Sequence, residues 1–166
     1  MSDAPPPAAA PPVPPVPPAP GAPRHADARV QAVVALFEGL SPVDLPALRG
    51  VYAEQAHFKD PFNAVQGLPA IARVFEHMFR QVEAPRFTVL SIVAAADEAF
   101  LTWDFNFVTR GTGARAMCIH GASHLRFCAS GQVVVHRDYW DAAEELYEKL
   151  PLLGSLMRWL KRRAAG

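Results

Sequence analysis

Apolar residues in this chain recur first with a helical period and then with a strand period, the change falling near Arg86. From Asp27 onward, Val30, Val33, Val34 and Phe37 repeat at i, i+3, i+4 and i+7, which lays one stripe along a helix. Gly39 and Ser41-Pro42 stop it. Asp44 can cap a second short helix carrying Leu45, Leu48, Val51 and Tyr52, ending near Gln55. A strand holding Asp60 and a turn over residues 63–67 follow, and Leu68, Ile71, Ala72, Phe75, Phe79 and Val82 mark a third helix. Beyond Arg86 the pattern alternates in four strands, 86–95, 99–110, 114–128 and 132–141. Turns at Asp97-Glu98, Gly111-Thr112-Gly113 and Ser130-Gly131 separate them. Helices followed by a run of hairpins predict an α+β domain, with helices packed on one face of a curved, mostly antiparallel sheet.

The ends of the chain read differently. Eleven of the seventeen prolines precede Arg24, interleaved with alanine, so residues 1–25 cannot bury a core and are expected to form a disordered, polyproline-like tail. The domain is assigned to 26–150, and 151–166 to a basic amphipathic helical extension. There Leu153, Leu156, Trp159 and Leu160 form a stripe beside Arg158, Lys161, Arg162 and Arg163. Such a helix can lie on an anionic membrane. The stripe is short, which favours packing on the domain or across a dimer instead.

Composition narrows the function classes. With 166 residues, 51% of them hydrophobic, the chain can pack one domain. Sixteen acidic and sixteen basic residues leave no net field to draw nucleic acid, so no nucleic-acid partner is expected. No apolar run reaches bilayer length, and the N-terminus lacks a signal-peptide pattern. Cys118 and Cys128 lie ten residues apart on one strand region, beyond disulfide reach in extended chain. Reduced thiols and a cytoplasmic protein are the expectation.

The chemistry centres on His57-Phe58-Lys59-Asp60-Pro61-Phe62 and His136-Arg137-Asp138-Tyr139-Trp140. A carboxylate among apolar neighbours has its charged form disfavoured, so the Asp60 pKa is expected to rise toward the range useful for proton transfer. In the last strand, His136, Asp138 and Trp140 share a face. If Trp140 points inward, one cavity holds Asp60, His136 and Asp138 between walls of Trp103, Phe105 and Trp140. The carboxylate–imidazole pair is then an oriented acid–base couple. The opposite parity, with Tyr139 inward, dissolves the site, and a purely structural His136–Asp138 pairing is the alternative. Cys118, His120 and His124 fall at i, i+2 and i+6 of one strand face, which invites a metal reading. Alternate strand positions diverge too far to converge on an ion without other ligands, so no metal is expected. His57 shares parity with Lys59 and reads as a surface residue. The Gly111 turn lacks the strand–helix context of a phosphate loop.

The element order, the passage from Tyr52-Ala53-Glu54-Gln55-Ala56 to Lys59-Asp60-Pro61 and the Gly67 turn resemble the nuclear transport factor 2-like superfamily, over residues 29–141. Within it the pattern is most similar to ketosteroid isomerases and SnoaL-like polyketide cyclases. The resemblance implies a cone-shaped half-barrel with three helices on its concave face, an enclosed apolar pocket, no cofactor, and a homodimer through the outer sheet face. It places Asp60 where the isomerases carry their proton-shuttling carboxylate, and Trp140 at a pocket-lining aromatic position. Leu36, beside Phe37, and Ser123 stand where those enzymes carry the Tyr and Asp that polarise the substrate oxygen. The expected catalytic set is Asp60, His136 and Asp138, and the expected lining is Phe37, Phe62, Phe75, Trp103, Phe105, Ser123 and Trp140. The implied activity is proton transfer on a small apolar carbonyl-type molecule, as in an isomerase, a cyclase or a hydrolase. The alternative is a non-catalytic ligand-binding or protein-interaction module of the same fold.

Overall fold

Asp27 starts the first helix. Its side chain accepts the Arg29 backbone N–H at 2.8 Å, satisfying one of the donors a helix N-terminus leaves open. The computed structural model describes residues 25–111, 113–147, 159, 162 and 163. The proline-rich tail, apart from His25, and most of the basic extension lie outside the described residues.

Helix α1 (Ala28–Gly39) buries the predicted stripe, Val30, Val33, Val34 and Phe37, together with Leu36. The second predicted helix is shorter than its apolar pattern suggests. A 3-10 segment (Pro42–Ala47) precedes a single α-turn, α2 (Leu48–Val51), and Ser41 occupies the cap position with Asp44 hydrogen-bonded to its hydroxyl. Pro42 and Pro46 remove two backbone donors, which limits the run to this tighter form. Tyr52 therefore belongs to strand β1 (Tyr52–Lys59), not to a helix.

The residues expected to form a plain turn after Asp60 make a short strand, β2 (Ala64–Gln66), antiparallel to β1. Asp60 itself lies in the loop that closes this hairpin, one residue past the end of β1. Gly67 then leads into helix α3 (Leu68–Gln81) with φ of 88°, a backbone conformation that favours glycine. Ile71, Phe75 and Phe79 of α3 are buried, each worth about 1.5–3 kcal/mol of transfer free energy.

Strands β3 (Val82–Ala95), β4 (Glu98–Thr109), β5 (Ala116–Phe127) and β6 (Val133–Tyr139) form the predicted antiparallel meander. Strand β3 begins four residues earlier than Arg86, directly after α3. The hairpin to β4 turns at Ala96-Asp97, with Ala96 in the left-handed region at φ 51°. The sheet order is β2-β1-β6-β5-β4-β3. Its one parallel pair, β1 with β6, joins the N-terminal half to the meander. Helix α1 packs on β3 and α3 on β1, so the concave face of the curved sheet carries the helices. A single-turn helix α4 (Ala142–Glu145), capped by Asp141, follows β6. Among the described residues, no helix is long and apolar enough to cross a membrane. Cys118 and Cys128 are not joined in a disulfide.

Candidate functional site

The inward parity of β6 decides the site. His136 is buried while its neighbours in alternation, Arg137 and Tyr139, are exposed, so the face with His136 and Asp138 looks toward the helices. The parallel register sets Phe58 beside His136 and Lys59 beside Arg137. One residue further on, Asp60 comes level with Asp138. Both carboxylates line one cavity of about 450 Å3, a size ordinary for a small-molecule site.

Apolar side chains wall this cavity, among them Phe58 of β1, Phe75 of α3, Phe87 of β3, Trp103, Phe105 and Phe107 of β4, and Ile119 of β5. Phe62 and Trp140 pack edge to face at 5.3 Å on its rim. Among the described residues lining it, none is Lys or Arg. Phe62, Phe75, Trp103, Phe105 and Trp140, five of the residues expected to line a pocket, line this cavity. Phe37 and Ser123 instead line a recess of about 20 Å3 behind it, roughly the room one water needs. Leu36 packs in the hydrophobic core.

Asp138 bridges the cavity and the recess. Its Oδ1 is held at 2.5 Å by the Ser123 hydroxyl, its direct cross-strand partner, and at 2.7 Å by His136 Nε2. Ser123 Oγ in turn accepts the Trp103 indole N–H at 2.8 Å, and His136 Nδ1 faces the Tyr52 hydroxyl at 2.5 Å. Proton accounting fixes the direction of this chain. An indole N–H only donates, so the Ser123 proton goes to the carboxylate. The ring nitrogen facing a carboxylate carries the proton, so His136 donates from Nε2 and accepts from Tyr52 at Nδ1. Burial and the Asp138 charge push the Tyr52 phenol well above its ordinary pKa, which keeps it the donor. Every group of the network is satisfied, and Oδ2 of Asp138 accepts no hydrogen bond from the described residues. Edge-on contacts from Phe37 at 5.4 Å and Phe58 at 5.0 Å cage the imidazole.

His136 thus sits behind Asp138 and reaches the larger cavity only through it. Asp60 is differently employed. Its Oδ1 accepts the backbone N–H groups of Phe62 at 2.7 Å and Asn63 at 2.5 Å, and Oδ2 accepts from Asn63 Nδ2 at 2.9 Å. The carboxylate braces the hairpin loop in the manner of an Asx turn, besides facing the cavity.

Tyr52 was missed as a site residue because its sequence position reads as the last apolar step of a helix. The available signal was chemical: a buried Tyr hydroxyl needs a partner. Phe107 continues the inward alternation of Trp103 and Phe105 and was legible by parity. Phe87 lay at the start of a strand whose true beginning is earlier.

An open, strongly curved sheet whose concave face holds helices and a walled cavity defines the nuclear transport factor 2-like class. A model of the SnoaL-like domain matches residues 33–136, more than half of the sequence, and the chain belongs to that family. No curated protein sequence matches it. Among solved structures, it is similar to a protein of ketosteroid isomerase-like fold from Catenulispora acidiphila, solved with trimethylamine, at 18% identity and a TM-score of 0.62 over 72% of this chain and 89% of that one. A protein assigned as a SnoaL-like polyketide cyclase from Jannaschia is 17% identical, with a TM-score of 0.63 over 70% of this chain and 87% of that one. A Mycobacterium tuberculosis LEH-like epoxide hydrolase is 15% identical, with a TM-score of 0.59 over 70% and 85%. At these identities the likeness is one of fold.

Proposed function

We propose that this chain is a cofactor-independent acid–base enzyme acting on a small, neutral, largely apolar molecule with an acidic C–H beside a carbonyl. Asp138 is the base. One observation carries the reading: a carboxylate at the wall of an apolar cavity, with Oδ1 fixed by Ser123 and His136 and Oδ2 left for a ligand. Oδ2 takes the proton from carbon, the C–H electron pair moves onto the carbonyl as an enolate, and the same oxygen returns the proton to the same or a conjugated carbon. His136 is a positioning residue, held by Tyr52 and holding Asp138. Asp60 is a second carboxylate at the cavity wall whose first task is to brace its loop. With Trp103 and Ser123 committed inside the protein, the Trp140 indole N–H and the His77–Gln81 pair at the mouth offer donors for charge on the substrate oxygen. Two carboxylates without a basic partner disfavour an anionic substrate, which supports the choice of a neutral one.

The same two carboxylates and aromatic walls favour a second reading, non-catalytic capture of a small ammonium ion through cation–π and charge contacts. The Catenulispora structure holding trimethylamine lends it support. A ligand-observed NMR screen of ketones, enones, lactones, epoxides and alkylamines in deuterated buffer separates the two. Catalysis predicts deuterium uptake by a bound carbonyl compound, and loss of uptake with retained binding in Asp138→Asn. Ammonium capture predicts binding of amines alone, lost in the same variant. A cavity that binds neither group overturns both.

A further inference from the structure

On the convex side of the sheet, away from the cavity, β4 and β5 bring three metal-ligating side chains together. Asp104 pairs directly across the ladder with His120, and Cys118 lies two residues before His120 on the same face, opposite Asn106. Asp104 Oδ1 and His120 Nδ1 are 2.5 Å apart, and the ligand atoms of all three residues lie within 4.8 Å of one another. Along one strand, Cys118 and His120 diverge, but the carboxylate from the neighbouring strand closes the set. His124, the third residue of the single-strand pattern, is not a member. It stacks on Phe100 at 4.4 Å.

We propose that Asp104, Cys118 and His120 form a surface site for a borderline-soft divalent cation, zinc above all. A thiolate, an imidazole and a carboxylate are the donor types that tetrahedral zinc selects, and hard ions such as magnesium do not use sulfur. Around zinc, ligand bonds of about 2.0–2.3 Å put neighbouring donor atoms roughly 3.3–3.8 Å apart. The Asp104–His120 pair is closer than that spacing, and the Cys118 sulfur lies within 4.8 Å of both. The ion parts the Asp104–His120 pair and brings the three donors to one spacing. His120 has 65% of its side chain exposed, and Asp104 25%, so rotamer changes suffice. The fourth position faces solvent and takes water. Binding displaces the Cys118 thiol proton, while the proton on His120 Nδ1 shifts to Nε2, so about one proton leaves per ion and affinity rises with pH. The site is independent of the cavity and of what the cavity does.

The test is a cobalt(II) titration of the full chain, stripped of metal and kept reduced with a phosphine. The chain has two cysteines. A near-ultraviolet thiolate-to-cobalt charge-transfer band must therefore come from one of them, and zinc must abolish it by competition. The expected result is one ion per chain, a band retained in Cys128→Ser and absent in Cys118→Ser, and about one proton released per ion. Asp104→Asn and His120→Ala weaken binding at least about 100-fold, since even groups that only support metal ligands contribute about 10–100-fold. Circular dichroism checks each fold, and Asp104→Asn carries the test should Cys118→Ser misfold. No charge-transfer band at saturation, a band that follows Cys128, or unchanged affinity in Asp104→Asn overturns the site.

Discussion

At the scale of single residues, Asp138 owes its place to His136 and, behind it, Tyr52, neither of which lines the larger cavity. His136 is 2% exposed and its two ring nitrogens are both engaged, one by Asp138 and one by Tyr52. Tyr52→Phe keeps the ring but leaves Nδ1 buried without a donor. It should cost about 1–3 kcal/mol by urea denaturation, the usual penalty of an unpaired buried polar group. The Tyr52 phenol is raised in the folded state, so its contribution is complete below its unfolded pKa near 10 and is lost as pH rises beyond that. The ultraviolet difference between the parent and Tyr52→Phe should therefore show no Tyr52 phenolate until the protein unfolds in alkali; phenolate absorbance from Tyr52 in the folded protein would contradict the network. Asp27 carries the opposite sign. The Arg29 side chain, bonded to it at 2.8 Å, lowers its carboxyl from 3.8 to about 2. Its contribution is present above about 3.8 and disappears as pH falls through about 2. Urea midpoints of the parent and Asp27→Asn should differ at neutral pH and converge between about pH 4 and 2, whereas a constant gap would assign the effect to helix capping alone.

At the scale of elements, the β4–β5 ladder sets the shape of the cavity wall through Gly121. It pairs directly with Trp103, and the indole lies over it so closely that a Cβ there would fall inside the ring's van der Waals envelope. The ring is rigid and already hydrogen-bonded to Ser123. Gly121→Ala should therefore displace Trp103, release the Ser123 contact and cost about 1–3 kcal/mol as an overpacked core does. Thermal unfolding and Trp fluorescence check this together, and an unperturbed Trp103 would show that the wall yields elsewhere. Elements of strong period were legible in the sequence: α1, α3 and the four meander strands follow their apolar repeats. The segment from Ser41 to Gln66 was not. Prolines there shorten a helix, and Tyr52 and Asp60 fall just inside and just outside a strand whose limits depend on pairing with β6, a partner some eighty residues away.

At the scale of the whole molecule, the chamber joining Asp60 and Asp138 was legible because both lie at one end of strands whose inward parity the aromatic residues declare. The division of labour between them was not. Which carboxylate braces a loop and which is left facing a ligand depends on the β1–β6 register and on Ser123 lying opposite Asp138, neither of which periodicity encodes. The same limit hid the Asp104–Cys118–His120 cluster, since its members meet only across a ladder. The cone itself supplies apolar walls and a mouth, and the proposed reaction rests on one oxygen atom, Oδ2 of Asp138. The most direct measurement is the rate of solvent-deuterium incorporation into the tightest-binding carbonyl ligand, compared between the parent, Asp138→Asn and Asp60→Asn at matched occupancy. The account predicts a loss of about 10²–10⁴-fold in Asp138→Asn, the usual worth of a positioned general base, and a smaller loss in Asp60→Asn. Equal rates in the parent and Asp138→Asn, with the ligand bound in both, would contradict it.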